Sequence, residues 1–485
     1  MTRRSSTPTR ERSTAIAPQV PLLVAFGLTS LLNYGFSLGA SRILTPGDFG
    51  LVAFAQATLL LGGLVLQSGV PWSLARALIT AGPDERGRLV RGALLANVGL
   101  ALAIDAGLLA LFLTGVLEEG LEGIGTLALC LVSLPLFAVA AVGRAAMQGM
   151  GRFGSVAAVQ GLEVAVKAAA GLLLAWVGLR AAGAVAGFPI GGLAAAALAA
   201  VLVMTIGGVR PTGGVSLPAM RSVGPMFGAL LGLALVLNLD LVAVKLLDVD
   251  RAATGQYQAA IILANAPYFL VSSAVVPILF TRLAEHGSVA ETRSRVAGAL
   301  RVAIALVLPF EIVLMAIPDQ VLAVLFPPAY AGAAPILRLM AVGNAALIVA
   351  AIFAAAFQAV GGAREVARIV PAVAAVEAVV LWLVVPRFGP QGAVLSFDAA
   401  TLACTLLLAL RYRSQALVDL GPTARWLARF ALAAGLGTAL AVAVAVLPAG
   451  SPVGGAVAGI LAYYLLAVRL GLTSVSPRAV LERQR

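Results

Sequence analysis

The chain has 485 residues, of which 61% are hydrophobic and only 11% charged, with a mean hydropathy of +1.02. No water-soluble fold hides that much apolar surface, so a soluble enzyme is excluded and a membrane protein is implied. The net charge of +12 would also suit a nucleic-acid partner, but no basic–aromatic run supports one; basic cytoplasmic loops beside anionic inner-leaflet lipids account for it.

In chain order, residues 1–17 are rich in Arg, Ser and Thr and read as a disordered cytoplasmic tail. Apolar stretches then recur as far as about residue 471, each near the ~20 residues that cross a bilayer. Fourteen transmembrane helices are expected, centred near Thr29, Leu60, Leu102, Ser133, Lys167, Ala194, Leu235, Leu270, Leu306, Leu347, Ala378, Leu402, Gly437 and Leu461. Gly39-Ala40-Ser41 faintly resembles a cleavage site, but the apolar stretch before it is too long for a signal peptide and reads as a retained first span. The fold class is therefore an all-α polytopic membrane protein. Residues 18–209 are expected to form an N-terminal six-helix lobe, 210–222 a polar Gly/Pro-bearing cytoplasmic linker, and 223–410 a C-terminal six-helix lobe. Residues 411–485 then supply a second linker, helices 13 and 14 and a cytoplasmic tail.

The two lobes echo each other. Arg42-Ile43-Leu44 followed by Gly50-Leu51-Val52-Ala53-Phe54-Ala55 parallels Lys245-Leu246-Leu247 followed by Gly255-Gln256-Tyr257-Gln258-Ala259-Ala260. Ala146-Met147-Gln148-Gly149-Met150-Gly151 parallels Ala356-Phe357-Gln358-Ala359-Val360-Gly361. From Gln148 to Gly183-Ala184-Val185 is 35 positions, and from Gln358 to Gly392-Ala393-Val394 is 34. With an even span number and an inward N-terminus, the inner segments hold most of the 33 Lys and Arg residues, and the outer loops only Arg42, Arg180, Arg251, Arg338 and Arg387. Both lobes then enter from the cytoplasm and are parallel repeats, with a central cavity expected between matching faces.

No Ser/His/Asp set, metal cluster or Walker loop is present, so the chain reads as a non-enzyme without cofactor. The sole histidine, His286, sits beside Glu285 in an inner loop. Cys130 and Cys404 fall mid-span and read as packing residues. Ala/Gly runs such as Gly191-Gly192-Leu193-Ala194 read as helix-packing faces. The informative residues are ionisable groups inside spans, which are costly there and face a cavity or a partner. Glu163 and Lys167 share a face at i,i+4; they either neutralise each other or present Lys167 to an anionic substrate, with Glu163 tuning it. Asn238, Asp240 and Lys245 lie close together on the seventh span. Lys245 lies near its outer end, where it either snorkels or meets substrate. Asp105, Glu311, Glu377 and Asp398 complete the set.

Ser41-Arg42-Ile43-Leu44-Thr45-Pro46-Gly47-Asp48-Phe49-Gly50 resembles the start of polysaccharide and O-antigen lipid-carrier flippases. Asn238-Leu239-Asp240 through Ala260, the stretch Pro327–Pro335 and the stretch Val385–Ala393 also resemble segments of the multidrug/oligosaccharidyl-lipid/polysaccharide exporter superfamily. The resemblance implies two six-helix lobes, alternating access, and transfer of an undecaprenyl-pyrophosphate-linked oligosaccharide from the inner to the outer leaflet of a bacterial inner membrane. It implies Arg42 as a cavity arginine and Asp240 as an acid of the coupling site; the in-span residues themselves add Lys167, Lys245 and Glu163 as substrate-binding candidates, and Asn238, Glu377 and Asp398 as neighbours of the coupling acid. Glu377 stands where many members carry Asn, which permits H+ in place of Na+. Its partners would be the lipid-linked oligosaccharide, membrane lipids, and the polymerase and glycosyltransferases of polysaccharide assembly. A lipid II flippase is the less favoured reading, because no arginine occurs between Phe49 and Ala75. Such a chain could also be a cation-coupled exporter of drugs or metabolites, or a non-transporting scaffold for envelope synthesis.

Overall fold

A computed structural model describes residues 20–205, 209, 214–218, 224–247, 250–284, 288–414, 429, 432–433, 435–444 and 452–470. The expected N-terminal tail, most of the 210–222 linker, His286 and the final tail lie outside these residues. Among the described residues every regular element is helical. The first lobe comprises α1 (Val20–Ile43), α2 (Pro46–Thr80), α3 (Pro83–Leu113), the short α4 (Glu118–Leu121), α5 (Ile124–Gly149), α6 (Phe153–Leu174) and α7 (Arg180–Thr205). The second comprises α8 (Gly224–Val236), α9 (Leu239–Leu247), α10 (Arg251–Ala284), α11 (Val289–Ala316), α12 (Pro318–Leu325), α13 (Ala334–Ala359) and α14 (Ala363–Ser414). α15 (Gly435–Val444) and α16 (Pro452–Arg469) follow.

Seven helices are long and apolar enough to cross a membrane, or eight when α8 and α9, bent by 45° at their break, count as one. Two of the seven runs are 53 and 51 residues long, about 80 and 77 Å at helical rise, against a ~30 Å hydrocarbon core. Each must turn back, and each contains a break: one at Gly178 and Arg180, the other at Gly389. The fourteen expected spans thus have no one-for-one match among helices of that length and hydropathy in the described residues.

Local chemistry sets the helix ends. Thr45 caps α2 by accepting a hydrogen bond from the Asp48 amide, and Pro46 fills the first turn, where no amide is needed. Asp250 does the same for α10 through the Ala252 amide (2.8 Å). Ser288 and Glu291 form a reciprocal capping box on α11. The α6–α7 hairpin closes on small residues: a Cβ at Gly183, Gly187 or Gly191 would lie 2.5–2.6 Å from the backbone of Leu174, Lys167 or Glu163. That four-residue rhythm lets two membrane helices touch along their backbones.

The repeat has a physical form. α5 ends with the Arg152 amide bonding to the Met147 carbonyl (2.8 Å), and α13 with the Gly362 amide bonding to the Phe357 carbonyl (2.6 Å). Both turns pass through a glycine of positive φ, Gly151 and Gly361. Arg180 (φ 48°, ψ −131°) and Gly389 (φ 56°, ψ −143°) then take the same conformation, each three residues before its Gly-Ala-Val triplet. The copies differ by one residue here, 35 positions against 34. The first copy has a wide π-type turn over Ala175–Leu179, the form a one-residue insertion takes in a helix.

Helices α1–α7 pack mainly on one another, as do α8–α14, and α2 against α10 is the main bridge. At that bridge the repeat meets itself. A Cβ on Gly50 would lie 2.8 Å from Thr254 Cβ, and one on Gly255 only 1.8 Å from the Pro46 carbonyl oxygen. α16 packs on α11, with Tyr463 and Ala467 around Ile312. Trp176 and Trp382 project outward at 73% and 68% exposure, each shortly before its hairpin turn, as interfacial tryptophans do.

The crossing predicts that Gly255→Ala lowers thermal stability in detergent by about 3 kcal/mol, the upper part of the range for overpacking, because a backbone oxygen cannot rotate away. Gly99→Ala, where nothing lies within 4 Å, is the control and should melt like the wild type. Equal melting of both variants would show that the crossing is slack.

Candidate functional site

A cavity of about 570 Å³ begins one turn beyond the Gly50–Gly255 crossing and runs between the lobes. Its first-lobe wall carries Asn33, Tyr34, Gln56, Gln67, Phe137, Glu163, Lys167 and Phe188; its second-lobe wall carries Asn238, Gln258, Asn265 and Phe269. Of the residues singled out in the sequence, the cavity brings together Glu163, Lys167 and Asn238. Arg42, Lys245, Asp240, Glu377 and Asp398 do not line it.

Glu163 and Lys167 do share a face of α6, but they do not form an ion pair with each other. The Glu163 carboxylate accepts from the Arg144 guanidinium of α5, with both side chains largely buried. The Lys167 ammonium donates instead to Asn33 Oδ1 and lies 5.1 Å from the ring centres of both Phe36 and Phe188. Those rings meet edge to face at 6.3 Å. Arg144 therefore satisfies the acid, and Lys167 keeps its charge for the cavity in a box of π faces and one amide oxygen. By its place in the sequence Arg144 reads as an inner-loop arginine; its position on the last third of α5 is what makes it a partner of Glu163.

The expected coupling acids cluster inside the second lobe, behind the cavity wall. Asp240 is 1% exposed; its Oδ2 accepts from the Tyr257 hydroxyl (2.7 Å) and its Oδ1 from the Leu241 amide (2.8 Å). Glu377 and Asp398 are buried within electrostatic reach of Asp240. Neither Glu377 oxygen, nor Asp398 Oδ1, has a hydrogen-bond partner among the described residues. Gly343 admits Asp398, since a Cβ there would sit 2.1 Å from its Oδ1. Among the described residues no group of three His, Cys, Asp or Glu is close enough to hold a metal ion. Tyr257 is not legible as a site residue in the sequence, because a tyrosine in an apolar helix carries no local signal.

Lys245 and Arg42 stand at the closed end instead. Lys245 is 7% exposed, and its ammonium donates to Glu122 Oε1 (2.6 Å) in the α4–α5 turn of the opposite lobe. Arg251 lies 3.9 Å from the other oxygen of Glu122. Tyr330 donates to the Leu44 carbonyl (3.3 Å) and packs edge-on against Phe49 at 5.7 Å. Arg42 is exposed at the end of α1, where solvent and the helix C-terminus both favour a cation. The reason neither lines the cavity is geometric: the lobes are pressed together at this end, and α9 spends its lysine on holding them so.

Comparison with curated protein sequences finds no match. A family model described as "Polysaccharide biosynthesis protein" matches residues 40–335. Among solved structures, the lipid II flippase MurJ in an inward closed conformation is similar with a TM-score of 0.72 at 13% identity, over 94% of this chain and 99% of that one. An inward-facing multidrug resistance MATE family transporter of the MOP superfamily gives 0.60 at 13% identity, over 80% and 95%. A MOP superfamily transporter from Pyrococcus furiosus Vc1 gives 0.55 at 14% identity, over 83% and 96%. At these identities the likeness is one of fold.

The closed-end ion pair predicts that Glu122→Gln, which strands a buried Lys245, costs about 3 kcal/mol, the lower end for a broken buried pair because Glu122 is 21% exposed. Adding Lys245→Met removes the stranded charge and should restore most of the melting temperature. A double variant no more stable than Glu122→Gln alone would contradict the pairing.

Proposed function

The chain belongs to the polysaccharide biosynthesis protein family, and from that premise we propose that it is a flippase carrying an undecaprenyl-pyrophosphate-linked oligosaccharide from the inner to the outer leaflet of the bacterial inner membrane, with both termini cytoplasmic. One observation carries the reading: the cavity presents a single ammonium, Lys167, that forms no ion pair with a carboxylate among the described residues, while Glu163 beside it is taken by Arg144. A diphosphate is the complement of such a group, and a cationic drug would meet a charge of its own sign. The volume, about 570 Å³, falls within the few hundred to ~1,000 Å³ of small-ligand sites. It admits a sugar diphosphate and leaves the polyprenyl chain in the bilayer.

The energetics favour outward movement. Two negative charges crossing an inside-negative potential gain about 4–5 kcal/mol per 100 mV if the whole field is traversed. Asn33 fixes the ammonium, and the Phe36 and Phe188 rings exclude water from it, which strengthens its attraction for phosphate. Arg42 and Lys245 meet the headgroup after the lobes part at the closed end, when Lys245 leaves Glu122. Asp240, Glu377 and Asp398, with Asn238 at the edge of the cavity, take up the coupling cation, Na+ or H+, that resets the empty carrier. The polymerase and glycosyltransferases of the same assembly line receive and supply the lipid.

The test is translocation of fluorescent undecaprenyl-diphosphate disaccharide in proteoliposomes. Lys167→Met should slow it at least about 30-fold, the equivalent of the ~2 kcal/mol lower bound for removing one partner of a buried charge pair. No translocation by folded wild-type protein, or full activity in Lys167→Met, would overturn the reading.

A further inference from the structure

The two cavity walls are chemically unlike, although they derive from a repeat. Asn33 on α1 and Asn238 at the α8–α9 break both line the cavity. Asn33 is engaged by Lys167. Asn238 spends its Nδ2 on the Ala234 carbonyl (2.8 Å) at the α8–α9 break and keeps its Oδ1. Beyond it, α10 offers Gln258 and Asn265, seven residues apart and so two turns along one helix face. They are 8% and 7% exposed, and both line the cavity. Asn265 Oδ1 is buried without a partner, and the Gln258 side chain makes no hydrogen bond, among the described residues. The second-lobe wall carries no ionisable side chain.

A buried amide without a partner is costly, about 1–3 kcal/mol for each orphaned group. Facing a cavity, that cost is removed by a ligand bearing both donors and acceptors. A carboxamide is itself donor and acceptor, as a hydroxyl is, so a row of amides complements a row of hydroxyls. It offers no counter-charge to a carboxylate or a second phosphate. We propose that Asn238, Gln258 and Asn265 form a sugar-reading wall that selects lipids whose diphosphate-proximal sugar is uncharged. This rests on Lys167 as the phosphate contact across the cavity: the cation sets where the diphosphate sits, and the amides, on the opposing wall, meet the sugar joined to it. Selectivity arises because a site built to bond hydroxyls rejects a ligand that leaves its amides unpaired or brings a charge it cannot balance.

The experiment measures binding of three short-chain polyprenyl diphosphates to the purified full-length protein in nanodiscs: sugar-free, carrying a neutral hexose, and carrying a hexuronic acid. Wild type should bind the hexose lipid about tenfold more tightly than the sugar-free lipid, roughly one well-made neutral hydrogen bond, and the uronate lipid no better than the sugar-free one. Gln258→Ala/Asn265→Ala should erase the hexose preference and leave sugar-free affinity within about twofold. The apolar, similarly sized Gln258→Met/Asn265→Leu fills the same space if the alanine variant folds poorly, and should also lose the preference. Retained preference in either folded double variant, equal wild-type binding of hexose and sugar-free lipids, or equal binding of hexose and uronate lipids overturns the proposal. Lys167→Met separates the two readings. If it binds sugar-free lipid as wild type does, the phosphate assignment falls, while the hexose-to-sugar-free ratio still judges the amide wall.

Discussion

Two glycines that occupy the same place in the two repeats press their backbones together, and the cavity depends on that contact. Gly50 and Gly255 bring α2 and α10 so close that a Cβ on Gly255 would overlap the Pro46 carbonyl. Side chains cannot hold two membrane helices this near, because lipid offers no hydrophobic drive between them and close backbone packing must supply the attraction. From this crossing the helices run on along the cavity, which opens one turn later on α2 at Ala53 and on α10 at Gln258. Secondary ties reinforce it: Lys245 to Glu122 across the lobes, and Tyr330 to Leu44 and Phe49.

Charge is then distributed by partnership rather than by proximity in sequence. Arg144 takes Glu163, Glu122 takes Lys245, Tyr257 holds Asp240, and Lys167 is left with an amide oxygen and two rings. In a low-dielectric interior a cation without an ion-pair partner is expensive, and its position is the one we propose receives an anion. The first lobe keeps its charge at the cavity, and the second keeps its acids behind the wall. One duplicated scaffold thus separates the cavity lysine proposed to meet the headgroup from the acids proposed to carry the cation.

Much of this is legible in the sequence. Hydropathy gives the all-helical membrane class, and the Gly-Met-Gly and Ala-Val-Gly echoes mark matching helix ends whose hydrogen bonds repeat. The 35-against-34 spacing is readable as a one-residue difference, but its cause, a wide turn at Ala175–Leu179, is not. Site residues differ in legibility for a physical reason. Ionisable side chains in apolar spans stand out, which finds Glu163, Lys167 and Asp240. Their partners do not stand out, because Arg144 looks like a loop arginine and Asn33, Gln258 and Asn265 are neutral. The i,i+4 spacing gives the shared face of Glu163 and Lys167 but cannot reveal a third residue from α5. Arg42 and Lys245 look like cavity cations because the sequence echo pairs them; in the fold Arg42 is exposed at the end of α1 and Lys245 is buried against Glu122.

Arg180 shows how the two ends of the cavity are joined mechanically. It adopts a backbone conformation that its counterpart Gly389 takes without strain, and its guanidinium holds Asp48 Oδ2 at 2.8 Å, two residues from Gly50. The same residue begins α7, which is locked along its glycines to α6, the helix that carries Lys167. The hairpin is therefore a lever arm. It carries the cavity lysine, and its far end is clamped beside the point where the lobes cross. The strained turn at Arg180 is thus the joint between the α6–α7 hairpin and the Asp48 end of α2.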